Sequence, residues 1–427
     1  MGIETQSRHG ETSTEEESAL LRRALAGNGV RALFQPVVRL DNGDVVAYEA
    51  LVRGPVGSSL ERPDRLFAVA RQEGLLAELD WACRAAAWRA VEAADVPRGR
   101  TILVNVEPEV LGLGTPPWAE ELMTKAGSHL RLFVEITERA LALRPAELLA
   151  AVEGLRARGW GIALDDVGAD HRSLALMPFV RPDVIKLDLR LVQANPDVAI
   201  AGIVNAVNAE RERSGAVILA EGIEHEEHLT TARALGATLG QGWLFGRPDN
   251  LPMGRPAPAG IPTLNEPTPH SPGSSPCQIV ESARRLRPAT KPLLHAISLH
   301  LENQAATLGG EAVIIGAFEH ARFFAGRSEA RYARLAEQAA FVVALGQGLS
   351  AEPVPGVRGA DLRADDPVTG EWDVVVVSPH FAGALVARDL GDDGPDAERR
   401  FDYAVTYDRT LVMEVARDLM RRVKPLS

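Results

Sequence analysis

Residues 161–168 read GIALDDVG, a short apolar run that ends on the adjacent carboxylates Asp165 and Asp166. The same arrangement recurs along the N-terminal part of the chain. Glu49 follows the run 44–48, Asn105 follows 101–104, and Glu135 lies near the end of 131–136. Lys186 and Asp188 sit in 183–188, Glu221 ends 217–221, and Gln241 ends 237–241. Between these runs lie stretches with helical patterning, notably 63–73, 75–93, 145–158, 197–213 and 225–235. Apolar strands alternating with helices predict an α/β fold, a (β/α)8 TIM barrel whose strand carboxyl ends converge on one mouth. A ring of oxygen ligands at that mouth suits divalent cations held over a charged substrate.

The barrel is expected to begin irregularly. A first strand near 32–38 is followed by Asp41-Asn42-Gly43-Asp44 and then directly by the second strand. A parallel crossover needs a dozen or more residues, so this connection makes a hairpin and the first strand runs antiparallel. The result is a modified barrel.

Composition narrows the function. The chain has 427 residues and a net charge of −12, from 46 basic and 58 acidic side chains. Such a balance argues against duplex nucleic acid as a partner, which needs a basic face, but leaves a small phosphate ligand open where metals supply the positive charge. The two cysteines, Cys83 and Cys277, are too few for a disulfide framework or a thiolate metal site. Cys83 falls in an apolar helical run and reads as a reduced core thiol. No apolar leader and no run of about 18 apolar residues is present, so no membrane span is expected and the cytoplasm is the expected compartment.

Four segments follow. Residues 1–17 have the polar, acidic composition of a disordered tail, and 18–248 carry the barrel. Residues 249–276, rich in Pro, Gly and Ser, read as an extended linker. Patterning resumes in 277–427, a separate α/β domain. There the expected order is helix 291–303, strand 312–318, helix 328–345, strand 372–377, helix 381–390, strand 403–407 and helix 409–423.

The motifs of the barrel segment resemble the EAL family of cyclic di-GMP phosphodiesterases. The tripeptide Glu49-Ala50-Leu51 stands with Arg53 two residues on, after Phe34-Gln35-Pro36. Asn105 falls in NVEP, Glu135 and Glu138 in EITE, and Asp165 and Asp166 open DDVGADHRSL. Lys186 and Asp188 lie in IKLD, Glu221 and Glu224 in AEGIE, and Gln241 in QGWLFGRP. The resemblance implies two divalent cations, Mg²⁺ or Mn²⁺. Glu49, Asn105, Glu135 and Asp165 would hold the first, with Asp165 bridging to a second held by Asp166 and Glu221. It implies further that Lys186 orients the attacking water, Glu221 handles its proton, Gln241 supports the shell, and Arg53 pairs with a ligand phosphate. Asp188 is a candidate substrate contact, and Glu138 and Glu224 brace loops. The implied reaction hydrolyses cyclic di-GMP to linear pGpG in a homodimer.

One stretch departs from the pattern. Where the family usually reads Phe-Gly-Thr-Gly-Tyr-Ser-Ser-Leu, this chain has Val167-Gly168-Ala169-Asp170-His171-Arg172-Ser173-Leu174. The departure keeps an alternative alive: a weak or inactive cyclic di-GMP receptor acting through protein partners. His171 reads as a loop residue, and His225 and His228 as surface or capping residues, rather than metal ligands. The C-terminal segment resembles the DICT sensory domain on Ser378-Pro379-His380, the acidic turn 389–396 and Tyr407-Asp408-Arg409. That resemblance implies a regulatory domain that binds an unknown signal or protein partner.

Overall fold

The computed structural model describes residues 4–27, 29–137, 139–170, 174–195, 197–252, 260–261, 265, 273–392 and 395–425. Glu138, His171, Arg172 and Ser173, singled out above, lie outside the described residues.

Eight strands close into a barrel: β1 (Arg31–Arg39), β2 (Val45–Arg53), β3 (Thr101–Asn105), β4 (Arg131–Thr137), β5 (Gly161–Val167), β6 (Val184–Leu187), β7 (Val217–Ala220) and β8 (Leu239–Gly240). β1 runs antiparallel to both β2 and β8, and every other neighbouring pair is parallel. The hairpin between β1 and β2 turns at Gly43, whose φ of 77° is open to glycine and costly for other residues.

Inside the barrel, one apolar layer comes from a single residue of each strand. Val37, Ala47, Leu103, Phe133, Ala163, Val184, Leu219 and Leu239 pack together there. Phe133 fills the middle because Gly161 leaves room: a Cβ at 161 would stand 2.3 Å from the ring. Side chains on a strand alternate between faces, so the next inward position lies two residues on. Counting two residues toward the mouth from each member gives Gln35, Glu49, Asn105, Glu135, Asp165, Lys186, Glu221 and Gln241. The polar ring therefore follows from strand periodicity and barrel register.

The other end of the barrel is stopped by the segment expected to be a linker. Ile261 is 3% exposed and joins the interior layer, its carbonyl accepting from Arg131 at 3.1 Å. Asn265 donates its backbone N–H to Asp183 at 3.0 Å. At the other terminus, the expected tail is helical: one helix spans Glu4–Ala26. The run carries neither proline nor an internal glycine pair, and its last turns are tied down. Arg65 pairs with Glu17, Ser18 donates to Glu73 at 2.8 Å, and Arg22 meets Glu73 at 2.6 Å.

The C-terminal domain is a seven-stranded sheet in the order β12-β11-β10-β13-β14-β15-β9. Its strands are β9 (Arg287–Thr290), β10 (Val313–His320), β11 (Phe341–Gln347), β12 (Val357–Asp361), β13 (Glu371–Val377), β14 (Ala382–Asp389) and β15 (Arg400–Thr406). Two expectations are corrected here. The long helix over 328–345 is a helix Arg327–Gln338 followed by β11, because the β-branched run after Ala340 is buried between β10 and β12. The helix over 381–390 is β14. A tight turn, in which Ser378 N–H donates to the Phe381 carbonyl at 2.8 Å, sends the chain back antiparallel to β13. Pairing on both edges there outweighs the helix preference of an Ala- and Leu-rich segment.

The two domains share a core. Leu148, Leu149 and Phe179 of the barrel cluster with Val412, Ala416 and Leu419 of the C-terminal helix Arg409–Met420. Arg417 donates to the Phe179 carbonyl at 3.1 Å and the Pro178 carbonyl at 2.5 Å, and Arg421 pairs with Glu153. Arg358 reaches the Ala142 carbonyl at 2.9 Å.

Candidate metal centre at the barrel mouth

Lys186 is the hub of the polar ring. Its Nζ lies 2.7 Å from Glu135 Oε1, 2.9 Å from Asp165 Oδ1, 2.9 Å from Glu221 Oε1 and 3.7 Å from Glu49 Oε1. The ammonium is 1% exposed. Burial alone pulls a lysine pKa down, yet the surrounding carboxylates together hold this one well above its ordinary value.

The carboxylates differ according to their neighbours. Burial pushes Glu135 well above the usual carboxylate range, helped by the charge on Glu49 and opposed by Lys186. Glu221 is pushed up to about 8 by burial, against the pull of Lys186. Burial also raises Glu49, but Lys186 and hydrogen bonds from Gln241 and Asn105 outweigh it and leave its pKa lowered. Those bonds are Gln241 Nε2 to Glu49 Oε2 at 2.6 Å and Asn105 Nδ2 to Glu49 Oε1 at 3.2 Å.

Gln35 completes the support. Gln241 Nε2 also donates to Gln35 Oε1 at 3.1 Å, and Gln35 Nε2 donates to the Gly246 carbonyl at 3.0 Å. Sequence reasoning quoted Gln35 but assigned it no part in the site. Its signal was present: on an antiparallel strand, two residues toward the mouth means two residues back from Val37.

The ring fits divalent cations. Both oxygens of Glu135, and Oδ1 of Asp165, are buried without a well-formed hydrogen bond. Oxygens of Asp165, Asp166 and Glu221 lie within 4.8 Å of one another. Glu49, Glu135, Asp165 and Glu221 face the single ammonium of Lys186, and Asp166 stands beside two of them; with all five ionised, four negative charges are left over. An all-oxygen set of this charge suits hard cations such as Mg²⁺ and Mn²⁺. Asp166 reaches its position through a left-handed backbone, φ 57°, of the strained kind that gathers at functional sites.

Arg53, Asp188 and Glu224 lie outside this ring. Arg53 lines a cavity of about 360 Å³ beside the mouth, together with Asn105, and donates to the Val52 carbonyl at 2.7 Å. Asp188 caps the helix Leu189–Gln193, accepting from the Arg190 backbone at 2.8 Å and from its guanidinium at 2.9 Å. Glu224 is exposed, and its backbone N–H donates to His228 Nδ1 at 3.3 Å. His228 therefore caps a loop, with the His225 ring 3.6 Å from its own.

Residues 18–248 match the EAL domain, and residues 278–390 match the sensory domain of diguanylate cyclases and two-component systems, DICT. The cyclic di-GMP phosphodiesterase NbdA of Pseudomonas aeruginosa is 30% identical over 253 residues, covering 57% of this chain and 31% of NbdA. The cyclic di-GMP phosphodiesterase RocR of the same organism is 30% identical over 234 residues, covering 53% of this chain and 59% of RocR. The chain thus spans less than two thirds of either relative. Among solved structures, BlrP1 of Klebsiella pneumoniae, as a manganese and cyclic di-GMP complex, is 28% identical with a TM-score of 0.46; the match covers 52% of this chain and 56% of BlrP1.

Proposed function

The chain belongs to the EAL family, and from that premise we propose that it hydrolyses cyclic di-GMP to linear pGpG with two divalent cations at the barrel mouth. The observation that carries this reading is the convergence of Glu49, Glu135, Asp165 and Glu221 on one buried lysine, each two residues beyond the same apolar layer, with the Asn105 amide bonded to Glu49.

In this reading Glu49, Asn105, Glu135 and Asp165 would hold one cation, and Asp165, Asp166 and Glu221 the other; bound there, they would supply Lewis-acid polarisation of the phosphate and of a water. The chain's own groups do the rest. Lys186 orients the water and balances the charge of its neighbours. Glu221 accepts the water's proton. Gln241 and Gln35 fix the rotamer of Glu49. Arg53 offers its planar fork to a phosphate of the substrate. Asp188 stands just past β6, two residues beyond Lys186, where it positions the helix that follows through Arg190.

Regulation by the C-terminal domain belongs to the same proposal. The helix Arg409–Met420 grips the carbonyls of Pro178 and Phe179, in the short helix that follows the loop carrying Asp165 and Asp166. A homodimer is proposed on family resemblance alone.

The altered loop after Asp166 favours a second reading, a cyclic di-GMP receptor without turnover. One assay separates the two. Purified full-length chain is incubated with cyclic di-GMP and Mg²⁺ or Mn²⁺, and both binding and pGpG formation are followed. Turnover that disappears in Glu49→Ala supports the enzyme. Binding without turnover establishes the receptor, and absence of both removes the ligand from either reading.

A further inference from the structure

The C-terminal sheet buries its two faces differently. Val313, Ile315 and Ala317 of β10 belong to the core shared with the barrel, whereas Ile314 and Phe318 face the helices Lys291–Leu308 and Arg327–Gln338. No barrel residue enters this second core among the described residues. Between those two helices, over the carboxyl end of β10, lies a cavity of about 280 Å³. β10 runs parallel to β11 and antiparallel to β13, so the cavity opens where the chain direction changes within the sheet. Open α/β sheets place their ligands in such crevices beyond a strand's carboxyl end.

The walls combine flat rings with cations. Phe323 and Trp372 both line the cavity. Three cations crowd Phe323: Arg322 at 4.8 Å from its ring centre, Arg399 at 5.2 Å and Lys291 at 5.4 Å. Two of them already have carboxylate partners. Lys291 meets Asp396 at 2.5 Å, and Arg399 meets Glu319 and Asp389 at 2.5 and 2.6 Å. Arg322 differs: among the described residues its guanidinium pairs with no carboxylate and only overlies Phe323. Burial, together with the charges of Arg331, Lys291 and Arg327, pushes the pKa of His295 down.

The cavity wall also stores strain. Glu319, 6% exposed, has a φ of 56°, in the left-handed region. A bidentate bond to Arg399 holds it there. Such backbone costs about 1–3 kcal/mol and collects at ligand clamps, as it does at Asp166 in the barrel mouth.

We propose that this cavity binds a small planar aromatic carboxylate, its ring against Trp372 and Phe323 and its carboxylate paired with Arg322. The rings select a flat partner, and a guanidinium without a carboxylate partner selects an anion whose geometry matches its fork. The volume, at the small end for ligand sites, selects a molecule of one or two rings. A polyanionic phosphate is disfavoured, because the remaining cations are already neutralised by Glu319, Asp389 and Asp396.

Calorimetric titration of the full chain with benzoate, nicotinate and indole-3-carboxylate tests it, with benzamide as the neutral control. At least one carboxylate is expected to bind below about 1 mM, and benzamide at least about tenfold more weakly. Arg322 is exposed, so Arg322→Ala should fold normally and weaken binding about tenfold or more, with Arg322→Lys intermediate. Benzoate should also quench tryptophan fluorescence in the parent and much less in Trp372→Phe. Three results would each overturn the proposal: no carboxylate of the panel binding at about 5 mM, equal binding of benzamide, or an unchanged affinity in Arg322→Ala.

Discussion

Replacing Lys186 with methionine removes the one positive charge among four carboxylates that approach it within 2.7–3.7 Å. The side chain is buried, and methionine roughly keeps its length, so the change is mainly one of charge. Breaking a buried ion cluster by deleting one partner costs about 3–5 kcal/mol, because the other charges stay behind. For a barrel of this size each kcal/mol shifts the melting temperature by roughly 2–4 °C, so the metal-free variant should melt about 6–20 °C lower. Saturating Mg²⁺ or Mn²⁺ should return much of the loss, because the cations neutralise the same carboxylates. The stabilisation by metal should therefore be larger in the variant than in the parent. If Lys186 also orients the attacking water, pGpG formation falls by about a hundredfold or more. Differential scanning calorimetry with and without EDTA reads the first effect, and chromatography of the nucleotide products reads the second. A metal-free variant that melts with the parent would refute the electrostatic account of the ring. Turnover within about twofold of the parent would remove Lys186 from the chemistry.

Three further outcomes follow from the same geometry. Glu135 and Glu221 have folded pKa values above their unfolded ones. Their contribution to stability is therefore complete below about pH 4.5 and is lost as pH rises, for Glu221 through about 8. Metal-free protein should accordingly lose on the order of a few kcal/mol between pH 5 and 9, and saturating Mg²⁺ should flatten that slope in a melting series. Glu49, whose pKa is lowered, acts in the opposite sense and only below about pH 4.5. Arg53→Ala should raise the KM for cyclic di-GMP about tenfold or more while leaving the metal-induced melting shift unchanged. A loss of metal binding in that variant would place Arg53 in the wrong role. Gly242→Ala puts a Cβ 2.1 Å from the Ile223 carbonyl at φ 154°, next to Gln241. The variant should lose about 1–3 kcal/mol and turn over more slowly, with calorimetry and the product assay as readouts.

The barrel was legible because its signal is redundant. A strand that carries an apolar residue at one inward position and a polar or charged residue at the next repeats seven times, and a single misplaced boundary does not disturb it. Glu49 shows this well: expected after a strand, it lies inside β2 and still reaches the ring, because inward direction depends on parity and not on where the strand ends. The C-terminal domain was less legible because its central strands are buried on both faces, which erases the alternation that separates strand from helix. β11 and β14 were read as helical for that reason. The plug made by Ile261 gave no signal at all, since one apolar residue within a Pro- and Gly-rich segment carries no period. Gln35 was legible in principle but required the hairpin's reversed direction to be applied to side chains as well as to topology.

The altered loop after Asp166 bears on the choice between enzyme and receptor, and the backbone around it weighs toward the enzyme. The hydroxyl and ring of the family pattern are absent here, yet the turn that presents the two aspartates is closed by main-chain bonds. The Ala169 N–H donates to the Asp166 carbonyl at 3.0 Å, and the Asp188 N–H donates to the Val167 carbonyl at 3.1 Å. Gly168, which the chain keeps, takes a φ of 97°, and a Cβ there would stand 2.6 Å from Leu191. What positions Asp165 and Asp166 is thus a glycine turn packed on the helix after β6, and a side-chain substitution at 169 or 171 leaves those bonds in place. Lost hydroxyl caps typically cost about 1 kcal/mol, whereas moving a carboxylate by about 1 Å costs a hundredfold in rate. With the carboxylates held by backbone, the smaller of the two penalties is the one that applies, and a catalyst slower than its relatives, rather than a silent receptor, is the expected result.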